Sequence, residues 1–144
     1  MTGKEWLIKD LRDYERLKAS EKHLEEEIKT MRLEQTLQAS RLDRIPSAGG
    51  NTAEAKLVEA IAKKNDLELD LELTRRKISD IDSLLEGLTA PERSLIEKTD
   101  IHWHRGIYEE LAEDLEIDIR QVYNRREKAL HHLAILRYGA GYRP

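Results

Sequence analysis

Apolar residues recur at helical spacing along most of the chain and are separated by long polar runs. Between Lys4 and Ile45 there is no Gly or Pro, and a narrow apolar stripe close to a heptad repeat predicts one long helix. The stripe consists of Leu7, Leu11, Tyr14, Leu24, Ile28, Met31, Leu42 and Ile45. Polar residues interrupt the stripe at Lys18, Glu21, Gln35 and Gln38. They should weaken the packing there or set the register of the two helices.

The run from Ile45 to Thr52 should end this helix. Pro46 cannot continue helical hydrogen bonding, and the adjacent Gly49 and Gly50 suit a reversal of the chain. Thr52 is a candidate N-cap for a second helix, which we predict from Ala53 to about Glu86. The apolar positions of this helix are Leu57, Ile61, Leu71, Ile78, Ile81 and Leu85.

Within the second predicted helix, Leu67–Leu73 alternates leucine with acidic residues. A period of two is typical of a strand, but helical patterns flank this run without turn residues, so we predict a helix. In a helix, alternating leucines fall on opposite faces and indicate two apolar contacts, one with a neighbouring helix and one with another subunit. We therefore expect residues 1–86 to form a long antiparallel helical hairpin, coiled-coil-like, that mediates homo-oligomerisation as a dimer or higher oligomer.

A third helix should follow Gly87 and reach about Asp100. Thr89 is a good N-cap, and Pro91 falls in the first turn, where a missing N–H costs nothing. Glu92 then lies at the positive end of the helix dipole. Leu95 and Ile96 are expected to face inward.

The segment after residue 106 has the pattern of two short helices joined by a tight turn. The first, from about Ile107 to Leu115, places one apolar face inward, formed by Tyr108, Leu111, Ala112 and Leu115. Ile117 should pack in the turn, and Asp118 should cap the second helix. The buried side of that second helix should carry Val122, Ala129, Leu130 and Leu133. The fold class is therefore all-α, with a helix-turn-helix module in residues 87–144 after the hairpin.

Side chains suited to DNA occupy the exposed side of the second helix. Arg can bond guanine, Asn and Gln can bond adenine, and apolar groups can contact the thymine methyl group. The expected base-reading residues are Ile119, Arg120, Gln121, Tyr123 and Asn124. Basic residues that should contact phosphates are Arg105, Arg125, Arg126 and Lys128.

The charge of the chain is unevenly distributed. The 144 residues carry a net charge of -4, with 38% charged and 5% aromatic residues. Such a composition favours long solvated helices over one thick core. Asp118–Tyr138 contains five Lys or Arg and two acids, so this segment is +3 and the rest of the chain is -7. A local basic segment on an acidic body is compatible with double-stranded DNA as a partner.

Three motifs resemble region four of bacterial sigma factors. They are Leu88-Thr-Ala-Pro-Glu-Arg93, the Glu-Glu-Leu-Ala-x-x-Leu pattern of Glu109–Leu115, and the Val-x-x-x-x-x-x-Ala-Leu pattern of Val122–Leu130. The whole layout is similar to phage and prophage transcriptional regulators of the ArpU/RinA type. This resemblance implies a promoter-binding regulator of late genes, such as packaging and lysis operons, with RNA polymerase as a candidate partner. Glu116 departs from the pattern, because this turn position is usually Gly, and Ile107 replaces a usual Ser or Thr cap.

Two other functions fit the same layout. A phage small terminase subunit also joins a helix-turn-helix to helical oligomerisation segments, but it recognises packaging sites and forms large rings. A helical adaptor that binds no DNA would use the basic helix to contact a protein instead. The mass of the assembly separates the first alternative from a regulator, and the absence of salt-dependent DNA binding would favour the second.

Other chemistry is not expected. The chain has no Cys, which excludes disulfides and thiolate metal sites. His102 and His104, like the adjacent His131 and His132, would not face one another on a helix, so we expect no metal and no cofactor. No nucleophile–base arrangement stands out, and we expect no enzymatic activity and no catalytic residues. Without a signal sequence or a stretch of about 18 apolar residues, we expect a soluble, cytoplasmic protein with no membrane partner.

Overall fold

The computed structural model describes residues 2–44 and 50–144, which form five α-helices and no β-strand. The helices are α1 (Gly3–Arg44), α2 (Gly50–Glu86), α3 (Ala90–Ile96), α4 (Ile107–Leu115) and α5 (Ile119–Tyr138). A π-helical turn, Glu97–Ile101, extends α3, and a 3₁₀ turn, Gly139–Gly141, follows α5. The predicted all-α class is confirmed for these residues. None of their helices combines the length and the apolar character needed to cross a membrane.

The two long helices follow the sequence pattern closely, with one error at the start of α2. The helix continues without interruption through Leu67–Leu73, so the prediction of helix over strand is confirmed. Thr52 lies inside α2, because Gly50 and Asn51 already have helical backbone geometry; the prediction of Thr52 as its N-cap is wrong. The predicted chain reversal at residues 45–49 lies outside the described residues.

The start of α3 has the geometry predicted from its sequence. The Thr89 hydroxyl accepts the backbone N–H of Glu92, and the Glu92 carboxylate accepts the backbone N–H of Thr89 at 3.2 Å. This capping box satisfies two backbone donors that a helix start leaves without partners. Pro91 is in the first turn, as predicted.

The chain divides into two compact units, and the first contains both chain ends. It comprises residues up to Arg16 together with Ile78–Pro144. Its buried apolar side chains come from all five helices and from the connection before α3: Leu7, Leu11, Tyr14, Ile78, Ile81, Leu85, Leu88, Leu95, Ile96, Ile107, Leu111, Val122, Ala129, Leu130, Leu133 and Ala134. Polar contacts attach α1 to α5, since Arg137 donates to Asp10 at 2.7 Å and the Tyr138 hydroxyl donates to the Gly3 carbonyl at 3.0 Å. The predicted functional boundary at residue 86 stays a prediction.

The second unit, Leu17–Lys77, consists of the remaining parts of α1 and α2. Ile28 and Leu71 are its buried apolar residues among those described. Hydrogen bonds connect α1 with α2 in this unit. Arg32 donates to the carboxylate of Glu68 at 2.9 Å, and the Gln35 amide donates to the Ala60 carbonyl at 2.9 Å. Arg75 of α2 donates to the carboxylate of Glu25. As the residue number in α1 rises from Glu25 to Gln35, the number of its bonded residue in α2 falls from Arg75 to Ala60. Few apolar side chains are buried between the two helices.

Candidate nucleic-acid interface

Three residues connect α4 to α5, and the first of them has unusual backbone geometry. Glu116 has φ 54° and ψ 44°, the left-handed conformation that glycine usually occupies at a helix end. The N–H of Ile117 bonds to the carbonyl of Ala112 at 3.0 Å and thereby closes the end of α4. The left-handed conformation costs a residue with a side chain about 1 kcal/mol. The departure from Gly noted in the sequence therefore has a real conformational cost here.

Packing holds the turn in place. Leu95, Ile107, Leu111 and Val122 form one buried cluster, and Ile117 packs against it as predicted, together with Tyr108 and Ala112. Asp118 has extended backbone geometry and its carboxylate accepts the N–H of Arg120 at 3.5 Å. Asp118 is therefore the N-cap of α5, as the sequence indicated. The position and direction of α5 follow from these contacts.

The two sides of α5 differ sharply in burial. Val122, Ala129, Leu130 and Leu133 are fully buried, which confirms the predicted inward face. On the opposite side, five polar or basic side chains are exposed over the first three turns: Arg120, Gln121, Asn124, Arg125 and Lys128. Ile119 is half-buried at the start of the helix. The buried side anchors the helix, so the exposed side is presented on a rigid element.

Tyr123 is partly engaged by a neighbouring ring. It stacks on Tyr108 of α4 with ring centroids 4.3 Å apart and planes 12° from parallel, while 47% of its surface stays exposed. Burial raises the pKa of Tyr108. One face of the Tyr123 ring is thus covered by protein, and the exposed part of the side chain remains available to a partner.

Arg126 differs from the expectation that it is a surface cation. Its guanidinium donates two hydrogen bonds to Asp100, Nε to Oδ2 at 3.0 Å and Nη2 to Oδ1 at 2.7 Å. The side chain of Asp100 is 1% exposed and that of Arg126 only 14%. Burial favours a lower pKa for Arg126, but the hydrogen bonds and charge of Asp100 outweigh it and raise that pKa. This pairing directs the guanidinium toward the interior and away from the exposed face of α5.

Sequence reasoning did not identify Asp100 as the partner of Arg126. Thr99 also donates to this carboxylate, at 2.8 Å, so that its oxygens are well satisfied. One signal was present: an acid in the last turn of a helix opposes the helix dipole and favours a position beside a cation. The sequence did not show which cation, because the partner lies 26 positions further along the chain.

An apolar groove of about 420 Å³ runs beside the exposed face of α5. Its floor includes Leu95, Leu111 and Leu115, and Lys98, Arg125, Lys128 and His132 lie among the residues that line it. Leu115 is 46% exposed, so the prediction that it faces inward is wrong. The last turn of α4 extends beyond the buried cluster and leaves this side chain on the groove.

At one end of the groove, Glu92 and His132 connect α3 to α5. The Nδ1 atom of His132 lies 2.5 Å from a carboxylate oxygen of Glu92. Burial favours a higher pKa for Glu92, but the hydrogen bonds from His132 and Thr89 together hold it below the usual value. The pair therefore links the capping box of α3 to the fourth turn of α5.

The structure brings together most of the residues that were predicted to contact DNA. Seven of the nine are exposed, including Arg105 in the connection before α4, and Ile119 is partly exposed. Arg126 is only 14% exposed and is paired with Asp100. Comparisons with protein-family models, curated proteins and solved structures found no match to this chain.

Proposed function

We propose that this protein is a sequence-specific DNA-binding transcriptional regulator, in which α4 and α5 act as a helix-turn-helix. The observation that carries the proposal is the exposed face of α5. A helix anchored by a fully buried side presents Arg120, Gln121 and Asn124 in its first two turns. Helices of this kind enter the major groove with their N-terminal residues against base edges.

The residue types on this face divide into two roles. Arg120, Gln121 and Asn124 have the donors and acceptors that distinguish base pairs in the major groove. Ile119 and the exposed part of Tyr123 supply apolar contact for a thymine methyl group. Arg125, Lys128 and Arg105 are assigned to phosphates, which position the helix and supply salt-dependent affinity.

Ion pairs within the first unit determine which charged residues of α5 remain accessible to a partner. Three charged residues of α5 are neutralised within the protein: Arg126 bonds Asp100, Arg137 bonds Asp10, and Glu127 bonds Lys4. Arg120, Arg125 and Lys128 are all on the exposed face. The positive charge available to DNA is therefore concentrated in the first three turns of α5, although the whole chain is acidic.

The long helices α1 and α2 are assigned a role in assembly. We assign the α1–α2 segment in Leu17–Lys77 to an antiparallel hairpin that mediates homo-oligomerisation, supported by the three α1–α2 bonds described above. Two copies would present two recognition helices to paired half-sites. The assignment to phage or prophage late regulators, acting on packaging or lysis genes, comes from the sequence resemblance.

The decisive experiment is selection of bound fragments from the source genome at low and at moderate salt. A regulator is expected to enrich one motif upstream of an operon, and that motif should persist at moderate salt, where non-specific binding falls steeply. Enrichment beside a terminase gene together with a ring of eight or more copies would replace the proposal with a small terminase subunit. No enrichment at either salt would contradict DNA binding altogether.

One observation favours a second candidate, a helical adaptor that binds protein. The groove beside α5 exposes Leu115 at 46% and is lined by Lys98, Arg125 and Lys128. An apolar groove whose charged lining is basic except for Glu92 suits an acidic amphipathic segment of a partner. This candidate predicts that Leu115→Lys abolishes partner binding, whereas the DNA regulator retains its sequence preference in that variant.

A further inference from the structure

In the unit Leu17–Lys77, α2 has a second apolar face that is not directed at α1. Leu71 is buried, whereas Leu69 and Leu73 are 59% and 56% exposed. The alternating leucines thus fall on opposite faces of a continuous helix, as expected from the sequence. One set packs within the unit and the other set is left on its surface.

The exposed leucines belong to a longer stripe along α2. At 100° per residue, five apolar residues fall within a narrow sector of the helix, and all five are exposed: Ala55, Val58, Ala62, Leu69 and Leu73. Val58 is 65% exposed, and Ile61 flanks the stripe at 39%. From Ala55 to Leu73 the stripe measures about 27 Å at 1.5 Å per residue. Outward faces of soluble helices are usually charged, and an apolar stripe of this length marks an interaction surface.

The outward face of α1 in the same unit is different. It carries two exposed leucines, Leu33 at 62% and Leu37 at 52%. The sector around them is otherwise polar and includes Glu26, Thr30 and Ser40. Exposed apolar residues recur over five turns of α2, with Asn65 and Asp66 between Ala62 and Leu69, and the described part of α1 has no comparable stripe. We therefore assign the interaction surface to α2.

We propose that the α2 stripe binds the same stripe of a second copy of this chain, in antiparallel orientation. With the two-fold axis near Asn65 and Asp66, Leu69 of one copy faces Ala62 of the other, and Leu73 faces Val58. Large side chains then meet smaller ones at both positions, which lets the two helices approach closely. A two-fold interface of this kind is closed and self-complementary.

The charged residues at the ends of the stripe favour the antiparallel orientation. Glu54 lies at the N-terminal end and Arg76 at the C-terminal end, where Arg76 bonds Glu72 at 3.3 Å. Antiparallel packing brings Arg76 beside Glu54 of the second copy. Parallel packing would bring Arg76 beside Arg76, and like charges at such spacing are unfavourable.

The biological role of this dimer rests on the proposed function, since paired half-sites require two copies. Its test does not involve DNA. The mass of the full-length chain in solution is measured by light scattering for the native protein and two matched variants. Leu69→Lys with Leu73→Lys should change the mass from that of a dimer to that of a monomer. Leu33→Lys with Leu37→Lys, which alters the exposed pair on α1, should leave a dimer. A monomeric native protein, or dissociation by the α1 pair alone, would overturn the proposal.

The orientation is tested by cysteine cross-linking, because the native chain has no Cys. Ala62→Cys combined with Leu69→Cys should give a covalent dimer under mild oxidation, as should Asn65→Cys alone. The two cysteines of one chain cannot pair with each other, since seven residues of helix separate them by about 10 Å and a disulfide needs Cα atoms within about 7 Å. Leu69→Cys alone should not cross-link. Efficient cross-linking of that single variant would indicate parallel packing and overturn the proposed register.

Failure of the dimer and failure of DNA binding give different results. If the dimer is right and the regulator is wrong, the lysine pair on α2 changes the mass while no variant binds a DNA motif. If the regulator is right and the dimer interface is wrong, a DNA motif is enriched but the mass is insensitive to Leu69 and Leu73. Each outcome therefore bears on one proposal.

Discussion

The guanidinium of Arg126 donates two hydrogen bonds, of 3.0 and 2.7 Å, to the carboxylate of Asp100. Both side chains are largely removed from water, and Asp100 is 1% exposed. The pair joins the π-helical end of α3 to the middle of α5. It fixes the orientation of α5 and thus determines which side of that helix is presented.

Removing Arg126 should strongly destabilise the fold. Arg126→Ala leaves a buried carboxylate without its counter-charge, and breaking such a pair costs about 3–5 kcal/mol. The measurement is urea unfolding followed by circular dichroism. Arg125→Ala is the matched control. Arg125 is the exposed neighbour of Arg126, and its replacement should change the free energy of unfolding by less than about 0.5 kcal/mol. Equal, small effects of both variants would mean that the pair does not form.

Glu92 should make stability depend on pH in the acid range. Its pKa is lowered in the folded protein, so its carboxylate contributes stability above the unfolded pKa, near the usual value of 4.5. This contribution is lost as the pH falls through the folded pKa. Glu92→Gln keeps a capping-box side chain but removes the charge. The variant should be less stable at pH 7, by no more than about 1 kcal/mol for a partly exposed pair. The difference should shrink at pH 3, and a constant difference across this range would contradict the assignment.

Replacing Glu116 should stabilise the protein. Glycine adopts the left-handed conformation without the cost imposed by a side chain, so Glu116→Gly should raise the free energy of unfolding by about 0.5–1 kcal/mol. Thermal unfolding measures the effect. Glu116→Ala keeps the Cβ atom and should give no such gain. If the alanine variant is stabilised equally, removal of the charge, not backbone strain, is responsible.

Two substitutions on α5 should affect DNA binding in different ways. Arg120→Ala should cost about 1–3 kcal/mol of binding free energy and relax the preference at one base pair, as expected for a base contact. Lys128→Ala should weaken binding to all sequences alike. It should also reduce the slope of log K against log salt concentration by about one, as expected for the loss of one phosphate contact. Binding titrations at several salt concentrations, with matched and mismatched sites, measure both effects. Unchanged sequence preference in Arg120→Ala would contradict the placement of α5 in the groove.

Local features of the sequence predicted the helices well. The bounds of α4, the capping residues Thr89 and Asp118, and the buried side of α5 all depend on residues within one or two turns of each other. Interactions at that range are encoded in spacing and residue type. Thr52 was the exception, since nothing local showed that the two preceding residues would also be helical.

Features that depend on distant residues were not predictable in the same way. The basic character of Arg126 suggested a phosphate contact, but the structure places Asp100 against it. The apolar face of α4 suggested that Leu115 is buried, but the buried cluster ends one turn earlier. In both cases residue type and spacing within one helix could not show which side chains of other helices lie opposite.

The sequence by itself determined that the described chain is helical, where most of its helices begin and end, and which residues of α5 share a face. These are consequences of periodicity, capping and the energetic cost of glycine and proline inside a helix. Only the tertiary structure decided which charges stay available to a partner and which leucines stay exposed. Burial and pairing join residues far apart in the chain, and their energies depend on the packing of several helices at once.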